Sequence, residues 1–201
     1  MKIFSALMIL LSAVGFSAAA AAEGKFGVGL AYGNQKGVAD PVGSIKTKPL
    51  SLEAVYAYRF EDNNFGVRLI GGFGSGAKTA SMGAGKAVEK GKTVGKWGKA
   101  SGKQKLKYYI HVMPTYHISD KLWAGVGYSI VKSDLTLSFK ELVSIDEDGD
   151  EAKLDKVTLK EKNPSGMTLG LGYNIGDNFA VSFIAGGDKR RLKQLSATYY
   201  F

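Results

Sequence analysis

Three groups of residues in this chain could do chemistry. His111 and His117 are its only histidines, and imidazole is the usual general base near neutral pH. Between Gly74 and Lys107 runs a second group: Lys78, Lys86, Lys90, Lys92, Lys96, Lys99, Lys103, Lys105 and Lys107, against one acid, Glu89. So many ammonium groups on one short span attract polyanions. The third group is Asp146-Glu147-Asp148-Gly149-Asp150-Glu151, a run of oxygen ligands for a hard cation.

Each group also has a plainer reading. A histidine base needs a serine or thiol nucleophile and an orienting acid. No serine and acid stand at a spacing that recommends them here. An EF-hand loop places glycine sixth, whereas Gly149 is fourth counted from Asp146. That run reads as a solvated acidic turn around Asp148-Gly149. No metal or cofactor is expected. The lysine run is lysine rather than arginine, so it offers point charges without bidentate geometry. No base-reading motif accompanies it, so nucleic acid is not expected as a dedicated partner.

The elements that position these groups alternate with period two. One face carries Phe26, Val28, Leu30 and Tyr32. The next segments repeat it with Leu50, Leu52, Ala54, Tyr56, Tyr58 and Phe60, then Phe65, Val67, Leu69 and Phe73. Segments 107–118, 122–131, 167–175 and 179–185 continue the pattern, and Leu195-Ser196-Ala197-Thr198-Tyr199-Tyr200-Phe201 ends it. The opposite faces are mostly Gly, Ala, Ser and Thr, with Lys25, Glu53, Arg59 and Arg68. A water-facing exterior would carry many long charged side chains. A narrow lumen needs small residues and a few paired charges. The apolar face therefore points to lipid. The fold expected is all-β: an eight-stranded antiparallel transmembrane β-barrel with long extracellular loops.

On this reading Glu53, Arg59, Arg68, His111 and His117 form one hydrogen-bonded lumen network. Pro114, inside a strand, implies a bulge or a lost ladder bond. Tyr32, Phe60, Phe65, Tyr116, Phe179 and Phe201 near strand ends are placed for interfacial girdles. Tyr199 and Phe201 close the barrel. Short turns at 61–64, 119–121 and 176–178 put both termini in the periplasm. Residues 34–49, 76–106, 132–166 and 186–191 are the outer connections. The third of them rises as a hairpin, with Leu135, Leu137 and Phe139 on the way up and Leu154, Val157 and Leu159 on the way down. Trp97 and Val94 are placed to anchor the lysine-rich loop at the membrane edge.

Residues 1–22 read as a secretory signal: Lys2, the apolar run Ile3 to Phe16, and small residues ending in Ala-x-Ala. Its removal leaves 179 residues, 23–201, as one barrel domain, and lowers the formal charge from +9 to +8 by the loss of Lys2 alone. The lysine-rich loop holds nearly all of that excess. There is no cysteine, so stability comes from the sheet and not from disulfides.

Three stretches resemble the Ail/Lom/OmpX family of enterobacterial outer-membrane proteins. They are LEAVYAYRFEDNNFGVRLIGGFG from Leu52, YIHVMPTYHISDKLWAGVGY from Tyr109, and GMTLGLGYNIGDNFAVSFIAGG from Gly166, with the terminal YYF. The likeness covers most of the mature chain except the loops. It implies an eight-stranded barrel without enzymatic activity, in the outer membrane of a Gram-negative bacterium. Several family members mediate adhesion to host cells or resistance to complement; others serve stress response and surface integrity. In barrels of this kind the assembly machinery reads the C-terminal aromatic strand. The long lysine-rich second loop and the acidic third loop depart from the family pattern.

The leading expectation is a monomeric surface protein. Its loops bind host matrix or sulfated glycans, through Lys78, Lys86, Lys90, Lys92, Lys96, Trp97, Lys99, Lys103 and Lys105, and extend to serum resistance. One alternative is a structural envelope protein whose loops hold lipopolysaccharide. Another is a lipid A-modifying barrel enzyme using the histidines.

Overall fold

The computed structural model describes residues 24–39, 43–61, 63–82, 84–89, 92–145, 151–159, 165–186 and 192–201. The signal segment 1–22, Lys90 and the acidic run 146–150 lie outside the described residues. The strands in chain order begin with β1 (Gly24–Ala39), β2 (Gly43–Thr47), β3 (Leu50–Arg59), β4 (Phe65–Gly74), β5 (Ala77–Met82) and β6 (Gly85–Glu89). They continue with β7 (Lys92–Trp97), β8 (Lys99–His117), β9 (Leu122–Ile145), β10 (Glu151–Leu159), β11 (Gly166–Ile175), β12 (Phe179–Gly186) and β13 (Leu192–Tyr200). No helix occurs among the described residues.

Strands β1, β3, β4, β8, β9, β11, β12 and β13 pair antiparallel in that order, and β13 returns to β1. The result is a closed eight-stranded barrel with no free edge among these eight. Alternation decides which way each residue points. Val28, Leu30, Leu52, Val126, Tyr128, Leu171, Phe183 and Leu195 are exposed in a belt around the outside. In water such a belt would far exceed the patch a soluble monomer tolerates. In lipid it is the required surface. Closure also satisfies the backbone polar groups that lipid cannot solvate.

The lumen is filled. Val55, Ile70, Tyr109, Met113, Trp123, Ile184 and Tyr200 pack together inside it. Trp123 lies opposite Gly172 in the β9–β11 register, and a side chain at Gly172 would overlap the indole ring. Gly172→Val therefore overpacks the lumen and costs about 1–3 kcal/mol. The measurement is the urea midpoint for loss of the fast-migrating folded band on an unboiled gel. A midpoint unchanged from wild type would show that the indole is not held where the sheet places it. In the turn after β11, Gly176 has φ 65°, a conformation open mainly to glycine.

The β8–β9 ladder passes from Val112↔Tyr128 to Thr115↔Gly125, omitting Met113 and Pro114 without a change of register. Pro114 thus appears as a lost ladder bond and not as a bulge.

The larger departure from the sequence reading is above the membrane. Much of residues 34–49, 76–106 and 132–166 is strand. β1 and β2 form a hairpin, β8 and β9 continue far past the belt, β5, β7 and β10 pair along them, and β6 pairs with β7. The rising hairpin of the third connection is present, with Leu135↔Leu159 and Leu137↔Val157 in register. Polarity inverts at the membrane boundary. Above it the inward residues are largely apolar: Ile45, Ala100, Leu106, Leu135, Leu137 and Phe139 are all buried, with Gln35, Thr47, Gln104 and Ser133 among them. The outward residues there are Lys, Ser, Thr and Asp.

Candidate surface site and lumen groups

On β8 the inversion depends on one bulge; on β9 it comes without one, as Ile130 gives way to Lys132 on the same outward face. The β8–β9 register shifts between Leu106 and Tyr108. An extra residue at a bulge lets two successive side chains share a face. Lys107 and Tyr108 both point outward, while Leu106 and Tyr109 are buried. Below the bulge the outer face of β8 reads Tyr108, Ile110, Val112, Pro114, Tyr116. Above it the same face reads Lys107, Lys105, Lys103, Ser101, Lys99, all exposed. A basic column thus stands directly on a lipid-facing column of the same strand.

Alternate residues on a strand are about 7 Å apart, closer than the Debye length of about 8 Å at physiological salt. Lys103, Lys105 and Lys107 therefore act as one field, with Lys99 about 13 Å further along the same face. Their cross-strand neighbours are fixed by pairing. Lys103 lies between Thr79 and Thr136, Ser101 between Ser81 and Ser138, and Lys105 between Ala77 and Asp134. Two successive rows across three strands thus carry only hydroxyls and one ammonium. Both groups can donate hydrogen bonds. Among the described residues the acid on this face is Asp134, which meets Lys107 at 2.7 Å. Both partners are substantially exposed, so the pair is worth at most about 1 kcal/mol.

The other lysines expected at this site are spread around the column. Lys78 is exposed on β5, Lys86 on β6, and Lys92 and Lys96 on β7. Lys86 and Lys96 are directly opposite across the β6–β7 pair. Like charges so placed repel, and a bound anion relieves the repulsion. The first hairpin repeats this arrangement with Lys36 opposite Lys46, both exposed. The sequence reading did not include that pair.

Trp97 does not anchor the loop in the membrane edge. It is 6% exposed and meets Phe139 edge-on, with ring centroids 5.5 Å apart. The indole belongs to the apolar interior of the extracellular sheet. Lysines at 96 and 99 on either side remain in water.

The five lumen residues do not form one network. Glu53 accepts hydrogen bonds from Tyr109 Oη at 2.6 Å and from Ser196 Oγ. His111 Nδ1 meets Ser129 Oγ at 2.6 Å, and its Nε2 faces Gln194 Oε1 at 3.4 Å. Arg68 donates to Tyr200 Oη at 2.5 Å, its guanidinium 4.0 Å above the Trp123 ring. Arg59 bridges two periplasmic turns, bonding Asp120 at 3.1 Å and Asn64 at 3.3 Å. Glu53 and His111 share one upper cluster, the Tyr109 and His111 rings being 4.9 Å apart, and height separates that cluster from Arg68. Glu53 is level with Gly72, four residues along β4 from Arg68, a rise of about 13 Å.

His111 beside Ser129 has the spacing of a base and a nucleophile. Its other nitrogen faces an amide and not a carboxylate, and the imidazole is fully buried in the lumen. Acyl chains in the bilayer do not reach it. The pair is arranged as a structural hydrogen bond.

At the closing seam, Phe201 N donates to Phe26 O at 2.8 Å, and Tyr200 N to Asn178 O at 2.7 Å. Tyr199 and Phe201 point outward, with rings 5.6 Å apart edge to face. Tyr200 points into the lumen.

A closed antiparallel barrel with an apolar outer belt and a filled polar lumen is the architecture of an outer-membrane protein. The chain belongs to the outer membrane protein beta-barrel domain family, whose model matches residues 6–183; its place is the outer membrane of a Gram-negative bacterium. The comparison with curated proteins returns no match. Among solved structures it is similar to Ail, the attachment invasion locus protein of Yersinia pestis. The identity is 18% over 90% of this chain and 99% of that one, with TM-score 0.42. It is similar also to Ail in complex with the heparin analogue sucrose octasulfate, at 16% identity over 89% and 97%, TM-score 0.41. Neisserial surface protein A shows 13% identity over 87% and 92%, TM-score 0.37. Ail is a member of the group that the three sequence motifs resemble.

Proposed function

We propose that this protein is a surface adhesin whose extracellular sheet binds sulfated glycans of host cells or matrix. The observation that carries this is the donor face of β8 with its neighbours: Lys99, Lys103, Lys105 and Lys107 in one outward column, with Ser and Thr hydroxyls on both sides of Ser101 and Lys103. A rigid strand holds the charges at fixed spacing, so binding does not pay to order a loop. Sulfate oxygens accept from ammonium and hydroxyl groups alike.

The test is heparin binding by the mature chain folded in detergent micelles, measured against salt. Four column lysines engaging the polymer give a log–log slope of roughly −3. A slope near zero would remove the electrostatic basis of the proposal.

A second reading rests on the lower end of the column. Lys107 and Lys132 sit just above the lipid-facing residues Tyr108 and Ile130, at the height of lipopolysaccharide phosphates. If the face serves the envelope, the protein protects lipopolysaccharide-containing vesicles or bilayers from detergent while heparin binding stays weak. Adhesion predicts the reverse ranking of the two ligands.

A further inference from the structure

The lumen holds a second cationic site, at the other end of the barrel. Below Trp123 it opens between the periplasmic turns as a cavity of about 240 Å³. That is room for about eight waters, or for a small hydrated anion. Arg68, Thr115 and His117 line it, with Lys25, Arg59 and Lys121 near the mouth.

The acids at the mouth are Asp120 and Asp177. Arg59 already holds Asp120 at 3.1 Å, and Lys25 turns to the backbone oxygen of Asp177 at 3.2 Å. Arg68 is different. It is 5% exposed, and no carboxylate stands at ion-pairing distance from it among the described residues. Its Nη1 is used by Tyr200 and its face lies on Trp123, but its Nε has no hydrogen-bond partner. Thr115 Oγ1 and His117 Nδ1, on residues 2% and 8% exposed, are also unpartnered.

These groups are neighbours. Gly66 is opposite Thr115 in the β4–β8 register. A Cβ there would lie 3.0 Å from Thr115 Oγ1 and 3.3 Å from His117 Nε2. A Cβ would also overlap Tyr58 O, so only glycine fits there and no side chain from position 66 comes between these groups. A buried guanidinium without a counter-charge is costly, and polar atoms buried beside it without partners add to the cost. An anion seated among them removes both penalties.

We infer that this cavity is a periplasm-facing site for a small tetrahedral oxyanion of the phosphate or sulfate class. Arg68 Nε supplies the charge-assisted hydrogen bond, and Thr115 Oγ1 and His117 Nδ1 complete the donor set. The cations at the mouth attract the anion from the periplasm.

The experiment uses the full mature chain folded in detergent micelles, with Trp97→Phe so that Trp123 is its one indole. Sodium phosphate is titrated at ionic strength held constant with sodium chloride, and Trp123 emission is followed. The expected result is a saturable change, because the anion draws on the guanidinium stacked on that ring. Arg68→Met weakens the phosphate response about tenfold or more. Thr115→Val, close to isosteric, weakens it severalfold while retaining the folded band on an unboiled gel. That variant decides the matter if Arg68→Met does not fold. A linear response to phosphate, or one that Thr115→Val leaves unchanged, overturns the site. Equal saturation by acetate overturns the tetrahedral class.

Discussion

Changing Lys99, Lys103, Lys105 and Lys107 together to Gln lowers heparin affinity about a hundredfold. Each exposed ionic contact is worth up to about 1 kcal/mol. Four such contacts at about 0.7 kcal/mol each reach the roughly 2.7 kcal/mol of a hundredfold change. The salt dependence collapses with the affinity, because the released counterions were those of the polyanion along the column. The barrel itself is untouched, since all four side chains are outside the packed interior. Heat-modifiable migration therefore stays as in wild type. Equilibrium binding of a fluorescent heparin fragment measures the effect, and a loss below threefold would contradict the assignment of binding to this column.

The second large effect comes from behind the column. Leu137 is 1% exposed, opposite Gly102 in the β8–β9 register. Ile45 crosses that gap and would touch any side chain at Gly102. Leu137→Asp places a carboxylate in this apolar layer, where desolvation costs several kcal/mol. A sheet joined to the barrel at one end opens locally at less cost than the barrel unfolds. The extracellular sheet opens while the barrel below persists. Trypsin then cuts among the lysines of residues 77–106 in minutes, and heparin affinity falls nearly as far as in the four-lysine variant. The protected core fragment still migrates as a folded band. Wild-type resistance to trypsin in this variant would mean that the layer does not hold the column in place.

The barrel strands were legible because lipid and lumen demand opposite side chains on alternate residues. Phe65, Val67, Leu69 and Phe73, picked out by that signal alone, all fall in the strand Phe65–Gly74. The extracellular sheet was not legible on the same signal. There the outward face is lysine and the inward face is small or mixed: Ala100, Gly102, Gln104, Leu106. Hydrophobicity scarcely alternates along β8 above the membrane, although charge does. Lysine at 99, 103, 105 and 107, with Ser101 between, is a period-two pattern in charge. The bulge hid it further. Leu106 matches Tyr108 and Ile110 in spacing, yet points the other way because Lys107 and Tyr108 share a face.

The lumen groups show another limit. Adjacent pairs Tyr108-Tyr109 and Tyr199-Tyr200 place one ring on each face. Reading only the apolar face therefore left Tyr109 and Tyr200 without a role inside. They serve there as the partners of Glu53 and Arg68. The heights of Glu53 and Arg68 depend on cross-strand register, which short turns imply but composition does not state.

Whether position or charge alone makes the surface adhesive is tested most directly by two variants of equal charge. One carries Gln at Lys99, Lys103, Lys105 and Lys107; the other carries Gln at Lys46, Lys48, Lys78 and Lys86. Each loses four positive charges, all from exposed sites outside the barrel wall. Heparin affinity is measured for both beside wild type at physiological salt. An outward column on β8 predicts about a hundredfold loss in the first and less than tenfold in the second. Equal losses in the two would contradict the column and leave only the net charge of the loops.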